Sequence, residues 1–249
     1  MKCRLNKALP AVSNIVLSGA LLLQGCPDST GPVYKNARTY SWTVDTLAAG
    51  GPSIQTEMWQ LYAVDSRNVY VAGFNDYYGM GALWHFDGVR WLAVHWWEPG
   101  SPFHADFASI VGFGPTDIFV AGSKSGSSAS AALVAHFDGR TWTQTVLPGG
   151  PLQAIAGSGP SDVWAAGIEN SVFHFNGSVW AKHDVDKRLW FQDIKVVKGK
   201  PYALAYRIDE QPADTTWYYF LEWNTSRWDT LETAMDVSGI SFAPSFGVL

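Results

Sequence analysis

The sequence predicts an all-β protein built from a repeated unit of four short strands. Three observations carry this. The stretch Leu152-Gln-Ala-Ile155-Ala-Gly-Ser158-Gly-Pro160-Ser-Asp162-Val-Trp164-Ala-Ala-Gly167, followed by Val172-Phe-His174-Phe-Asn176-Gly177-Ser-Val-Trp180, recurs with variation before and after itself. The chain holds 13 Trp, 13 Phe and 10 Tyr against only 16% charged residues, a composition suited to packed sheet. Its 24 Gly and 13 Pro supply the many turns such a fold needs, and no helical periodicity of any length competes.

In chain order, residues 1–25 read as a targeting segment. Lys2, Arg4 and Lys7 form a positive start. The mostly apolar run from Ala8 to Leu23 is interrupted by Pro10, Ser13 and Asn14 and is short for a membrane span of about 20 residues. It ends in Leu23-Gln24-Gly25-Cys26, which resembles the lipobox of bacterial lipoproteins, with Gln24 a less usual member. The resemblance implies cleavage before Cys26, a diacylglycerol on its thiol and a further acyl chain such as palmitate on the new amine. Together these give the anchoring that one chain lacks. Cys3 leaves with the signal and Cys26 is consumed, so the mature domain has neither a disulfide nor thiol catalysis. Residues 26–38 read as a flexible polar tether. The expected address is the bacterial cell envelope, lipid-anchored at the outer membrane or cell surface.

Residues 39–249 carry the repeats. Ala37-Arg38-Thr39-Tyr40-Ser-Trp-Thr-Val-Asp-Thr-Leu47 mirrors Gly139-Arg140-Thr141-Trp142-Thr-Gln-Thr-Val-Leu147, so the domain opens on a lone fourth strand. The first copy, about 58–97, holds Asn68-Val-Tyr-Val-Ala-Gly73 and Leu83-Trp-His85-Phe-Asp87-Gly88-Val-Arg-Trp91. The second, about 107–147, holds Asp117-Ile-Phe-Val-Ala-Gly122 and Val134-Ala-His136-Phe-Asp138-Gly139-Arg-Thr-Trp142. The third spans about 152–186. A degenerate fourth, about 190–233, has Trp190-Phe-Gln-Asp-Ile194, Pro201-Tyr-Ala-Leu-Ala-Tyr206 and Glu222-Trp-Asn224-Thr-Ser-Arg-Trp228. Met235-Asp-Val-Ser-Gly-Ile240 opens a partial fifth copy over 235–249, so the chain reads as a fragment whose ring is incomplete.

Each piece has a physical role. Asp117 and Asp162 follow Gly-Pro-Thr and Gly-Pro-Ser turns. Val163-Trp-Ala-Ala-Gly167 alternates large and small, with the small residues expected where blades converge. Asp87-Gly88, Asp138-Gly139 and Asn176-Gly177 read as two-residue hairpin turns joining third strand to fourth. The closing Trp residues, Trp91, Trp142, Trp180 and Trp228, are spaced by 51, 38 and 48, bracketing the length of a four-stranded blade, and are large enough to fill the wedge between blades. These features predict a β-propeller. Asp-Val-Trp-Ala-Ala-Gly (162–167) and His-Phe-Asn-Gly-x-x-Trp (174–180) resemble the repeats of secreted bacterial propeller lipoproteins of unassigned function. The likeness implies a fold and an address, not an activity.

His85, His136 and His174 invite a three-His metal site, but they hold one equivalent position on successive blades and cannot meet at one ion. The expected role is a hydrogen bond to a neighbouring strand, with Glu222 in their place in the fourth copy. No metal or cofactor is expected. His183-Asp184-x-Asp186 reads as a structural or solvated charge cluster rather than a cation site.

Ligand-binding candidates come from the irregular loops, where aromatics stand beside carboxylates and His: Tyr77, Tyr78, Trp96, Trp97, His104 and Asp106. Arg207 to Trp217, with Asp209, Glu210 and Asp214, interrupts the fourth copy.

The formal net charge is −5, and removing residues 1–25 deletes three basic residues and no acid, which argues against nucleic acid. The favoured function is a lipid-anchored envelope module binding a glycan or a protein partner. A propeller-fold carbohydrate-active enzyme, glycosidase or lyase, is the alternative. Its polar groups would come from inner strands, which here carry Gln60, Ser109, Gln153 and a single acid, Asp193. A structural or assembly lipoprotein of an envelope complex is the third reading.

Overall fold

The computed structural model describes residues 44–47, 54–76, 81–96, 104–125, 130–209 and 215–236. Two units are distinguished, Met1–Asp45 and Thr46–Leu249, and the strands described all belong to the second. Cys26, the tether, Tyr40 and residues 237–249 lie outside the described residues.

Four antiparallel four-stranded sheets follow one another, each with its strands in chain order. Blade 1 holds β1 (Thr56–Asp65), β2 (Asn68–Asn75), β3 (Leu83–Phe86) and β4 (Trp91–Ala93); blade 2 holds β5 (His104–Gly112), β6 (Ile118–Ser125), β7 (Ala131–Phe137) and β8 (Trp142–Leu147). Blade 3 holds β9 (Leu152–Gly159), β10 (Asp162–Gly167), β11 (Val172–Phe175) and β12 (Trp180–Lys182); blade 4 holds β13 (Trp190–Val197), β14 (Lys200–Asp209), β15 (Thr215–Asn224) and β16 (Arg227–Asp236). The first strands of blades 2, 3 and 4 each pack on the first and second strands of the blade before. This is the blade packing of a β-propeller, as the repeat predicts.

β16 pairs Met235 with Trp217 and Asp236 with Thr216. The two residues read from sequence as the start of a fifth copy therefore complete the fourth blade, because β15 is long enough to partner them.

The alternation of large and small residues buries the second strand on both faces. Phe119, Val120 and Ala121 are fully buried, as are Val163, Trp164 and Ala165. Leu83, Phe107, Ile110, Ile118 and Leu133 share one core between blades 1 and 2. Phe119, Leu152, Ile155, Val163 and Phe173 share the next, and Trp164, Phe191, Ile194 and Leu221 the third. The closing Trp of blades 2, 3 and 4 reaches the second-strand aromatic of the preceding blade. Trp142 meets Tyr70 at 6.3 Å, Trp180 meets Phe119 at 6.5 Å, and Trp228 meets Trp164 at 5.9 Å, all edge to face.

Two turn and packing details differ from the sequence reading. The Asp-Gly pairs are not the central residues of two-residue turns. Asp87 occupies the first corner of a turn running to Arg90, donating its N–H to the Arg90 carbonyl at 3.2 Å. Its carboxylate accepts from the N–H groups of Val89 and Arg90, each at 2.9 Å, replacing the backbone carbonyl as acceptor. Asp138 does the same for Arg140 and Thr141, and Asn176 for Ser178 and Val179. These amides hold the carboxyls of Asp87 and Asp138 below their ordinary pKa.

The glycine near the end of the second strand in blades 1 to 3 serves a contact inside the blade, not between blades. A Cβ at Gly73 or Gly122 would overlap the carbonyl oxygen of Glu57 or Asp106 on the first strand, and one at Gly167 that of Pro151 just before it.

Candidate functional site

Every first strand carries the same register shift, which skips one residue: Trp59 in β1, Ala108 in β5, Gln153 in β9 and Gln192 in β13. A bulge of this kind frees a backbone amide and re-aims a side chain. The residue after the skip reveals the first consequence. Gln60 accepts the N–H of Ile110 in the next blade at 2.6 Å, and Ser109 accepts that of Ile155 at 3.1 Å. Ala154, the third in this series, has no acceptor in its side chain. The equivalent amide, Ile194, instead donates to its own neighbour Asp193 at 2.8 Å, and Lys195 Nζ closes on the same oxygen at 2.9 Å. Asp193, the acid that the sequence assigns to the inner strands, is thus occupied by a backbone amide and a lysine; the structure places Glu57 and Asp106 on the same set of first strands.

The three histidines behave as the spacing predicts, with an added partner. His85, His136 and His174 lie opposite Tyr70, Phe119 and Trp164 in register and stack on them at 4.3, 3.9 and 4.3 Å. Their Nε2 atoms reach Asn68 at 2.7 Å, Asp117 at 3.2 Å and Asp162 at 2.8 Å, the residues at the head of each second strand. A carboxylate only accepts, so Nε2 of His136 and of His174 carries the proton. In blade 4 the pair is reversed in sign: Lys200 stands at the acid position, Glu222 at the histidine position, and the two form an ion pair around Tyr202.

Of the loop candidates, Tyr77, Tyr78 and Trp97 lie outside the described residues, as do Glu210 and Asp214. Trp96 is buried at 1% exposure, its ring edge to face with Phe107 at 4.7 Å in the core between blades 1 and 2. The structure therefore places it among packing residues, away from a solvent-facing loop. His104 and Asp106 lie on β5, opposite Ser125 and Ser123. Ser123 Oγ donates to Asp106 Oδ2 at 3.4 Å, while Oδ1 is buried without a hydrogen-bond partner among the described residues. Burial pushes the Asp106 carboxyl above its ordinary pKa, against the opposing pull of Ser123 and His104.

The His183 cluster is structural. Asp186 takes Arg188 through both carboxylate oxygens, and the guanidinium holds its pKa down to about 2. Asp184 accepts from Asn170 at 3.4 Å, and His183 turns inward against Trp164 and Trp223 at 5.0 and 4.7 Å.

Asp106 belongs to a layer that recurs at one end of every blade. Glu57, Asp106, Pro151 and Trp190 are equivalent, on or just before the first strands, each preceding the residue that faces Gly73, Gly122, Gly167 or Ala205 of the second strand. Phe74, Ser123, Ile168 and Tyr206 follow those small residues, and the skipped Trp59, Ala108, Gln153 and Gln192 complete the layer. In this layer the residues at each position vary among the four blades, with acids, aromatics and amides among them. In blade 1, Trp59 stacks on Phe74 at 6.4 Å, is 49% exposed, and donates Nε1–H to Glu57 at 3.3 Å.

Between blades 3 and 4 the layer opens into a cleft of about 370 Å³ lined by Gln153, Ile168, Trp190, Phe191, Gln192 and Tyr206. Trp190 is 41% exposed and meets Tyr206 edge to face at 5.5 Å. Tyr206 in turn lies 6.3 Å from Tyr218, and burial raises its hydroxyl pKa, with Tyr218 adding to the rise. Gln153 and Gln192 are both exposed. The sequence reading placed Gln153 among inner-strand polar residues but did not single out Trp190, Gln192 or Tyr206. The available signal was their register with Asp106 and Ser123, which becomes visible only once the skipped residue of each first strand is known.

No family model matches this sequence, and no curated protein matches it. Among solved structures the chain is similar to one described as YCF48 bound to a D1 peptide, with 12% identity and a TM-score of 0.42 over 71% of this chain and 68% of that one.

Proposed function

We propose that the protein is a lipid-anchored propeller of the bacterial cell envelope that works as a binding module for a glycan or protein partner. The observation that carries the reading is the end layer, where exposed aromatic and amide side chains of blades 3 and 4 converge on an open cleft. Ligand sites take this form, apolar walls with a few placed polar groups on a rigid scaffold. The anchor is supported by the basic start, the apolar run and Leu23-Gln24-Gly25-Cys26. Expressed in a bacterial host, the full chain is expected to incorporate a labelled fatty acid and to lose the label in Cys26→Ser. Glycan arrays and pull-downs with the same chain test the binding module; silence in both overturns it.

Asp106 favours a second reading, a carbohydrate-active enzyme. It is a half-buried carboxyl in the same layer, with a raised pKa and one oxygen without a hydrogen-bond partner among the described residues, the condition of a general acid. Turnover on a polysaccharide panel, abolished by Asp106→Asn with the fold intact, would establish it.

A further inference from the structure

We infer that the cleft between blades 3 and 4 seats an uncharged hexose ring of a polysaccharide against Trp190, with the amides of Gln153 and Gln192 taking its hydroxyls. This rests on the binding-module reading and names its ligand class.

The chemistry of the lining selects the class. Among the described residues, the six that line the cleft include no carboxylate, lysine, arginine or histidine, so a charged ligand would be desolvated against them without a counter-charge. Gln153 and Gln192 each present a donor and an acceptor, and a sugar hydroxyl requires both. They are held apart on two adjacent blades by the same bulge, which projects them while the flanking Leu152 and Phe191 stay buried. In the same lining, Trp190 offers a large apolar surface whose ring packs edge to face on Tyr206. A hexose ring has this pattern, an apolar C–H face edged by hydroxyls. An apolar peptide anchor would need a dry pocket, and an acidic peptide a cluster of cations. The cleft, about 370 Å³ and open at its amide rim, lies at the small end of ligand sites, which suits a single ring of a longer chain.

The test is calorimetric titration of the full chain with gluco-, manno- and galacto-oligosaccharides, beside uronic-acid oligomers and casein-derived peptides. A neutral oligomer is expected to bind, and Trp190→Ala to weaken it by about tenfold or more. Trp190→Phe, which keeps the contact with Tyr206, is expected to weaken it less, and Gln192→Ala, an exposed truncation that leaves the fold intact, several-fold. Neutral binding that survives both Trp190→Ala and Gln192→Ala overturns the cleft assignment while leaving the module standing. Binding only of uronic acids or peptides, lost in Trp190→Phe or Gln192→Ala, keeps the cleft and overturns the ligand class. Silence toward the entire panel overturns the inference, and silence in pull-downs as well takes the binding module with it.

Discussion

His183 is a residue whose burial has a pH consequence. Its Nε2 is buried without a hydrogen-bond partner among the described residues, in a wedge made by Trp164 and Trp223 with His174 at 6.2 Å. Burial first, then the neighbouring His174, lowers its pKa below the ordinary 6.5. The unfolded chain therefore binds the proton more readily, and stability falls as pH drops from about 6.5 through the lower folded value. His85, lowered mainly by burial, acts in the same direction, and Asp106, with its raised pKa, acts in the opposite one. The clean readout is a difference: denaturant melts of wild type and His183→Phe at pH 7.5 and 5.5. The variant, which keeps an aromatic ring in the wedge, is expected to lose less stability on acidification; an equal loss would show that His183 is not the group involved. Lys200 and Glu222 give a second expectation at this scale. Because they replace an acid and a histidine with opposite sign, Lys200→Asp and Glu222→His are each expected to lower the melting temperature. The double variant, which rebuilds the Asp–His pair of blade 3, is expected to recover part of the loss, and a strictly additive fall would rule the exchange out.

At the scale of the element, the two kinds of glycine separate by what a methyl group would strike. At Gly139 φ is +90° and a Cβ would sit 2.7 Å from the Thr116 side chain, so alanine there suffers backbone strain and a soft clash. At Gly122 the obstacle is the carbonyl oxygen of Asp106 on the paired strand, which cannot move without breaking the ladder. Gly139→Ala is expected to cost about 1 kcal/mol or somewhat more, and Gly122→Ala at least twice that, read from chemical denaturation midpoints. The reverse order would mean that the close approach of β5 and β6 is slack. The sequence showed much of this element scale. The places of the hairpin turns, the histidine bond and the wedge Trp are legible because each recurs from blade to blade, although each turn is centred on the glycine and the residue after it rather than on the Asp-Gly or Asn-Gly pair. The skipped residue on the first strand was not, because Trp59, Ala108, Gln153 and Gln192 share no chemistry, only a register. That hidden register is why the sequence does not point to Trp190, Tyr206 and Gln192. Trp96 is a separate case: it follows the short strand β4, and no sequence pattern marks its ring as part of the core.

For the molecule as a whole, the blades form a series in which each wedge joins two neighbours: Trp142 joins blades 1 and 2, Trp180 blades 2 and 3, and Trp228 blades 3 and 4. Nearest-neighbour coupling of this kind makes stability local to an interface. Trp180 packs on Phe175 at 5.2 Å within its own blade and on Phe119 in the blade before it, so truncation removes contacts to both. Trp180→Ala is expected to cost about 3 kcal/mol, the low end for a large aromatic because the side chain is only half-buried. Amide exchange should then rise in β6, β7, β11 and β12, the strands that meet at this wedge. The layer that holds Trp190 and Tyr206 lies at the other interface of blade 3, and its amides should stay protected. If exchange rises evenly through all sixteen strands, the blades unfold as one body, and the cleft between blades 3 and 4 depends on every wedge in the series rather than on the one formed by Trp228.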